Sequence, residues 1–135
     1  ASPAYLREHP APQEVEALSR HNCLSHSYYG KSLWHFTRNA EDVSVPVQGN
    51  ITANEASTLL SAALAGAGIT LLPSYQAATY VQRGELVRLL PEAEPRVMTI
   101  YAVYASRKQM PATLRSMLDF LASRFTDPPE WDQGL

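Results

Sequence analysis

The chain has 135 residues, 45% of them apolar and 18% charged, with eleven Lys and Arg against thirteen Asp and Glu for a net charge of −2. That suits one modest folded domain rather than two domains or a disordered chain, and it lacks the basic stripe with which a nucleic-acid-gripping domain neutralises phosphates. No apolar run approaches the roughly 20 residues of a membrane helix, and one cysteine, Cys23, excludes an internal disulfide and any multi-cysteine zinc site.

Ser2-Pro3 reads as a helix start, with Ser2 as cap and Pro3 in the first helical position. A short helix is expected over Ala4–His9, broken by Pro10-Ala11-Pro12. A second follows with Val15 and Leu18 facing inward. Cys23–Ser27 reads as a short strand. The stretch from Tyr28 to Asp42 could hold a hairpin around Trp34-His35-Phe36. Val43–Val47 alternates at period two, and Pro46 places that strand at an edge or late in its start.

The clearest element is a helix from Ala53 to about Ala65. Ala56, Leu59, Leu60, Ala63 and Leu64 share one face at helical spacing, Thr52 and Glu55 are spaced as a capping box, and Gly66 and Gly68 end it. Ile69–Leu72 reads as a buried parallel strand stopped by Pro73, and Tyr75–Val81 as a short helix stopped near Gly84. Leu86–Leu90 is predicted as a strand, Pro91–Pro95 as a linker and Met98–Tyr104 as a strand. Ala112–Phe125 is the last helix, with Leu114, Met117, Leu118, Leu121 and Phe125 on one side. A loose tail follows. Strands alternating with helices indicate an α/β fold: a mixed, mostly parallel sheet flanked by helices.

Several segments resemble, in order and at natural spacing, the effector domain of LysR-type transcription regulators. They are Ala1-Ser2-Pro3-Ala4-Tyr5-Leu6; Leu18-Ser19-Arg20-His21-Asn22-Cys23-Leu24; Thr52–Ala56 with Leu64–Pro73; Gly84–Pro91; and Tyr101–Tyr104 with Arg107 and the final helix. The match runs from about Ala1 to Phe125. It departs from the family at Met110, where a capping Ser often precedes the helix-opening proline, and it is loose over Ser27–Asp42. The resemblance implies a two-lobed fold similar to periplasmic binding proteins, with a small-molecule effector in the cleft. Residues 1–95 would form the second lobe, residues 96–125 would return a strand and helix to an incomplete first lobe, and residues 126–135 would be a tail. A winged helix-turn-helix would precede Ala1, so DNA would be bound only through that part. Self-association through effector domains, a cytoplasmic location and no membrane contact are further implications.

Candidate effector-binding residues are Ser25, His26, Ser27, Thr52 and Asn54. Asn54 follows a strand at a helix start, where N–H groups and the positive dipole end favour an anion. It could equally cap the helix together with Thr52. By the resemblance, Ser25, His26 and Ser27 end the strand that lines the second lobe's share of the cleft, although they could be a plain solvent-exposed strand end. Tyr28, Tyr29 and Trp34 read either as an aromatic rim or as cover for a small core. His21 is expected to make a local hydrogen bond, and Cys23 to be a small buried side chain. No cofactor, metal site or catalytic constellation is expected: the four histidines lack ligand spacing, and no nucleophile has a base and an orienting acid beside it. Two other function classes are a periplasmic solute receptor of a transporter, against which no signal peptide opens the sequence, and a small α/β enzyme, against which the lack of a nucleophile, carboxylate pair or metal cluster argues.

Overall fold

The structure is a computed structural model that describes residues 1–106, 110–125 and 128–133. Arg107, one of the residues carrying the resemblance, lies outside them. Helix α1 (Pro3–Glu8) begins as read, the Ser2 hydroxyl accepting from the Tyr5 N–H at 3.4 Å. Val15–Arg20 is a 3₁₀ helix that buries Val15 and Leu18.

Strand β1 (Cys23–His26) is the centre of a parallel sheet of order β4-β1-β5, with β4 at Thr52–Ala53 and β5 at Ile69–Thr70. Ser25 pairs with Thr52 and His26 with Ala53 on one side; Cys23 pairs with Ile69 and Leu24 with Thr70 on the other. Two glycines let the chain close on both flanks of β1. A Cβ at Gly49 would collide with the Cys23 carbonyl oxygen, and one at Gly68 with that of Asn22. These approaches carry the bonds Cys23 N–H to Gln48 O at 3.0 Å and Ile69 N–H to Asn22 O at 2.9 Å.

The expected hairpin is present: β2 (Leu33–Arg38) pairs antiparallel with β3 (Glu41–Pro46), placing Pro46 late on an edge strand. Its two-residue turn holds Asn39 and Ala40 at φ 52° and 63°. Strand β6 (Glu94–Pro95) adds to the other side of β2, so part of the expected linker is a strand. Trp34 and Phe36 of β2 and Val45 of β3 turn inward onto Tyr5, Val15, Leu18 and Cys23 to form the main core.

Helix α2 (Ala56–Leu64) starts three residues later than predicted, because Thr52 and Ala53 are held in the sheet by β1. Its cap is Glu55 and carries no side-chain hydrogen bond, so the Thr52–Glu55 capping box does not form. Leu59 and Ala63 are fully buried on Leu24 and Leu86, with Leu60 and Leu64 half-buried beside them. Helix α3 (Ser74–Gln82) follows.

Two predicted strands are absent. Leu86–Leu90 is irregular: the Val87 N–H bonds the Ala1 carbonyl at 2.7 Å, and Leu90 takes φ 55°, which no ladder accommodates. Met98–Tyr104 is also irregular and exposed, since no strand among the described residues lies alongside to supply its backbone with partners. Helix α4 (Ala112–Arg124) forms as read yet buries none of its residues. In the tail, residues 128–133 are docked rather than loose: Trp131 meets Tyr75 of α3 edge-on at 6.3 Å, and Gln82 Nε2 donates to Gln133 O at 3.0 Å.

Candidate functional site

The order β4-β1-β5 is what gives this sheet a usable end. The chain leaves β1 by the hairpin and returns on one side as β4, then crosses through α2 to the other side as β5. Connections that diverge from the carboxyl ends of neighbouring parallel strands leave a crevice between them. The carboxyl ends of β1 and β4 therefore bring Ser25, His26 and Ser27 beside Thr52 and Asn54, at the entry to α2. The Ser27 N–H closes this end on the Ala53 carbonyl at 2.8 Å, and the Ser25 N–H bonds Ile51 O at 3.1 Å.

The five residues are not equivalent. Ser25 is only 3% exposed, and its hydroxyl donates back to the Cys23 carbonyl at 3.3 Å, so it lies beneath the surface. Ser27, Thr52 and Asn54 are exposed and His26 is half-buried. Asn54 does not cap α2, which leaves its amide outside the helix. The Tyr28 backbone N–H donates to His26 Nδ1 at 3.2 Å, which in the neutral imidazole puts the proton on Nε2. The rings of Tyr28 and Tyr29 stand 5.9 and 5.0 Å from that of His26. Trp34 does not belong to this rim: it is 2% exposed, and its indole N–H donates to Gly30 O at 2.9 Å.

Thr70, which the sequence reading passed over, ends β5 on the other flank of β1 and donates to the Leu24 carbonyl at 3.0 Å. Its signal was available as the polar residue within the apolar run Ile69–Leu72. Cavities lie elsewhere among the described residues. One of about 450 Å³ is largely apolar and touches Trp34, Phe36, Ile69, Leu72 and Leu86; none of the five candidates lines it. A polar depression of about 410 Å³ sits at the amino end of β1, around Arg20, His21, Asn22 and Asn50.

His21 accepts or donates within a fixed pair: its Nδ1 lies 3.0 Å from the Tyr5 hydroxyl, which also takes the Asn22 N–H at 3.3 Å. Cys23 is fully buried, and burial pushes its thiol up to about 12, so it is an inert core side chain. Among the described residues, no group of three or more His, Cys, Asp and Glu could hold a metal ion, and no helix is long and apolar enough to cross a membrane.

A family model described as the LysR substrate binding domain matches residues 1–126. The HTH-type transcriptional activator TtdR of Escherichia coli is 34% identical over 125 residues, covering 91% of this chain and 40% of that protein. The HTH-type transcriptional regulator PtxR of Pseudomonas aeruginosa is 32% identical over 130 residues, covering 96% of this chain and 42% of that protein. The chain thus spans about two fifths of the length of these relatives. Among solved structures, full-length AphB, a virulence activator of Vibrio cholerae and a member of the LTTR protein family, superposes with TM-score 0.79 at 31% identity, covering 91% of this chain and 42% of that one. The regulatory domain of CrgA, a LysR-type transcriptional regulator from Neisseria meningitidis, superposes with TM-score 0.73 at 30% identity, covering 93% of this chain and 63% of that one.

Proposed function

The chain belongs to the LysR substrate-binding domain family, and from that premise we propose that it is the ligand-sensing part of a LysR-type transcription regulator. It senses a small polar or anionic effector and performs no catalysis of its own. The observation that carries the reading is the convergence of His26, Ser27, Thr52 and Asn54, over Ser25, at the carboxyl ends of two parallel strands. Short polar side chains at such an end offer donors and acceptors without filling the crevice.

In this reading residues 1–95 make the second lobe. Residues 96–125 complete the first, whose other parts would supply the opposite wall of the cleft. Effector binding then acts by population shift: the ligand favours one relative pose of the lobes, and that pose biases the oligomer that presents the DNA-binding heads. DNA contact belongs to a winged helix-turn-helix outside these residues, and the working compartment is the cytoplasm. A solute receptor of a transporter, another reading of the sequence, is not favoured, because the relatives carry the names of transcriptional regulators.

The test is Asn54→Ala in the intact regulator. The effector response should weaken while unliganded DNA binding stays nearly unchanged. Asn54 is not the helix cap, so melting should move little. A stably folded Asn54→Ala/Ser27→Ala double variant with a full response at the same dose would move the wall elsewhere.

A further inference from the structure

The wall proposed above is flanked by two tyrosine rings that belong to neither hydrophobic cluster. Tyr28 and Tyr29 are 77% and 62% exposed, directly after the strand that ends in His26. A solvated pair of large aromatic side chains contributes little to stability; such rings gain free energy only when something flat covers them. Their geometry leaves room for that. Tyr28 and Tyr29 are tilted 46° and 39° to the His26 ring, so neither is stacked face to face on the imidazole. The His26 ring is pinned by the Tyr28 N–H, which also fixes its donor at Nε2. The paired ends of β1 and β4 thus bring two exposed tyrosines, the His26 imidazole and the exposed Ser27 and Asn54 into one neighbourhood.

We propose that the effector is a flat aromatic or heteroaromatic acid. Its ring lies against Tyr28 and Tyr29, and its carboxylate is met by His26 Nε2–H and the polar side chains beside it. This rests on the reading that this end of β1 is the effector wall. A purely aliphatic acid would satisfy the polar groups and leave the tyrosine faces in water. Offset or edge-on ring contacts at 4.5–7 Å contribute about 0.5–1.5 kcal/mol beyond burial. The ring should therefore be worth roughly twofold to tenfold in affinity over a saturated ring of the same size.

The experiment titrates the intact regulator with benzoate, nicotinate, cyclohexanecarboxylate and succinate by calorimetry or ligand-observed NMR. Benzoate or nicotinate should bind more tightly than cyclohexanecarboxylate. Tyr28→Ala/Tyr29→Ala should erase that preference, and Tyr28→Phe/Tyr29→Phe should keep it. The Ala pair removes exposed side chains and leaves the backbone bond to His26 in place, so melting serves as the control for folding. Equal binding of benzoate and cyclohexanecarboxylate, or a preference that survives the Ala pair, overturns the inference. If succinate binds as well as the aromatic acids and Asn54→Ala weakens all of them, the ring falls and the wall stands. If none of the four binds and Asn54→Ala leaves the response to the regulator's inducing conditions unchanged, both fall.

Discussion

His21 joins three parts of the chain through two atoms. Its Nδ1 faces the hydroxyl of the buried Tyr5, whose ring stacks on His9 at 4.4 Å, and that hydroxyl is also bonded by the Asn22 N–H at the entry to β1. Desolvation, then the nearby His9 and Arg20, hold the imidazole below its ordinary range. The native state thus prefers His21 neutral, and the unfolded chain binds more protons around and below a pH of about 6.5. The sign follows: this contribution is fully present above the unfolded value and is lost as pH falls through the depressed native one. Melting temperature should drop between about pH 7.5 and pH 5.5, and His21→Gln, which keeps a hydrogen-bonding group but does not titrate, should flatten the drop. Parallel melting curves for the two proteins across that window would remove His21 as the cause.

At the scale of elements, α2 is where periodicity was most informative and also where it was coarse. Five apolar positions share a face, yet Leu59 and Ala63 are fully buried and Leu60 is only partly so. Leu59→Ala should therefore cost about 2–5 kcal/mol and Leu60→Ala distinctly less. Equal losses in chemical denaturation would mean the helix is rotated from the face described. The hairpin gives an opposite case. Ala40 occupies a left-handed position at φ 63°, a conformation a Cβ disfavours by roughly 1–2 kcal/mol. Ala40→Gly should raise stability by about 0.5–1 kcal/mol once the extra freedom of the unfolded glycine is subtracted. A loss of stability would show that the turn is not the two-residue type seen. The elements readable in the sequence were those whose signal is local: the Ser2 cap, the α2 face, the alternation at Val43–Val47, the glycine stops. The failures have a common cause. Leu86–Leu90 and Met98–Tyr104 have strand composition, but a strand is defined by a neighbour that composition does not specify. The capping box at Thr52 and Glu55 failed for the same reason, since pairing with β1 pulled Thr52 into the sheet. The polar groups at the ends of β1 and β4 were legible as types; that the two ends lie side by side needed the strand order. The burial of Ser25 and the splay of Tyr28 and Tyr29 around His26 depend on packing that no spacing encodes.

The whole molecule divides into a packed part and an unpacked one. Residues up to about Pro95 contain both hydrophobic clusters, whereas Val97–Val103 and α4 contribute no buried side chain. Val103 is 92% exposed, and Met98, Ile100, Tyr101, Met117 and Phe120 are each more than half exposed. Exposed large apolar side chains in this number seek cover. In the proposed regulator the remainder of the first lobe supplies it, so the chain by itself should differ from the intact protein in a measurable way. Sedimentation velocity of the chain at roughly tens of micromolar should show concentration-dependent association, accompanied by binding of the apolar dye ANS. Ile100→Ser/Val103→Ser should reduce both without lowering the melting temperature, because neither side chain touches the core. The intact regulator should bind little ANS. A chain that stays monomeric and dye-silent would mean this surface is too broken to act as a patch. Strong ANS binding by the intact regulator would mean that the segment from Val97 to Val103 is not covered by a first lobe, and the division of the chain near Pro95 would have to be redrawn.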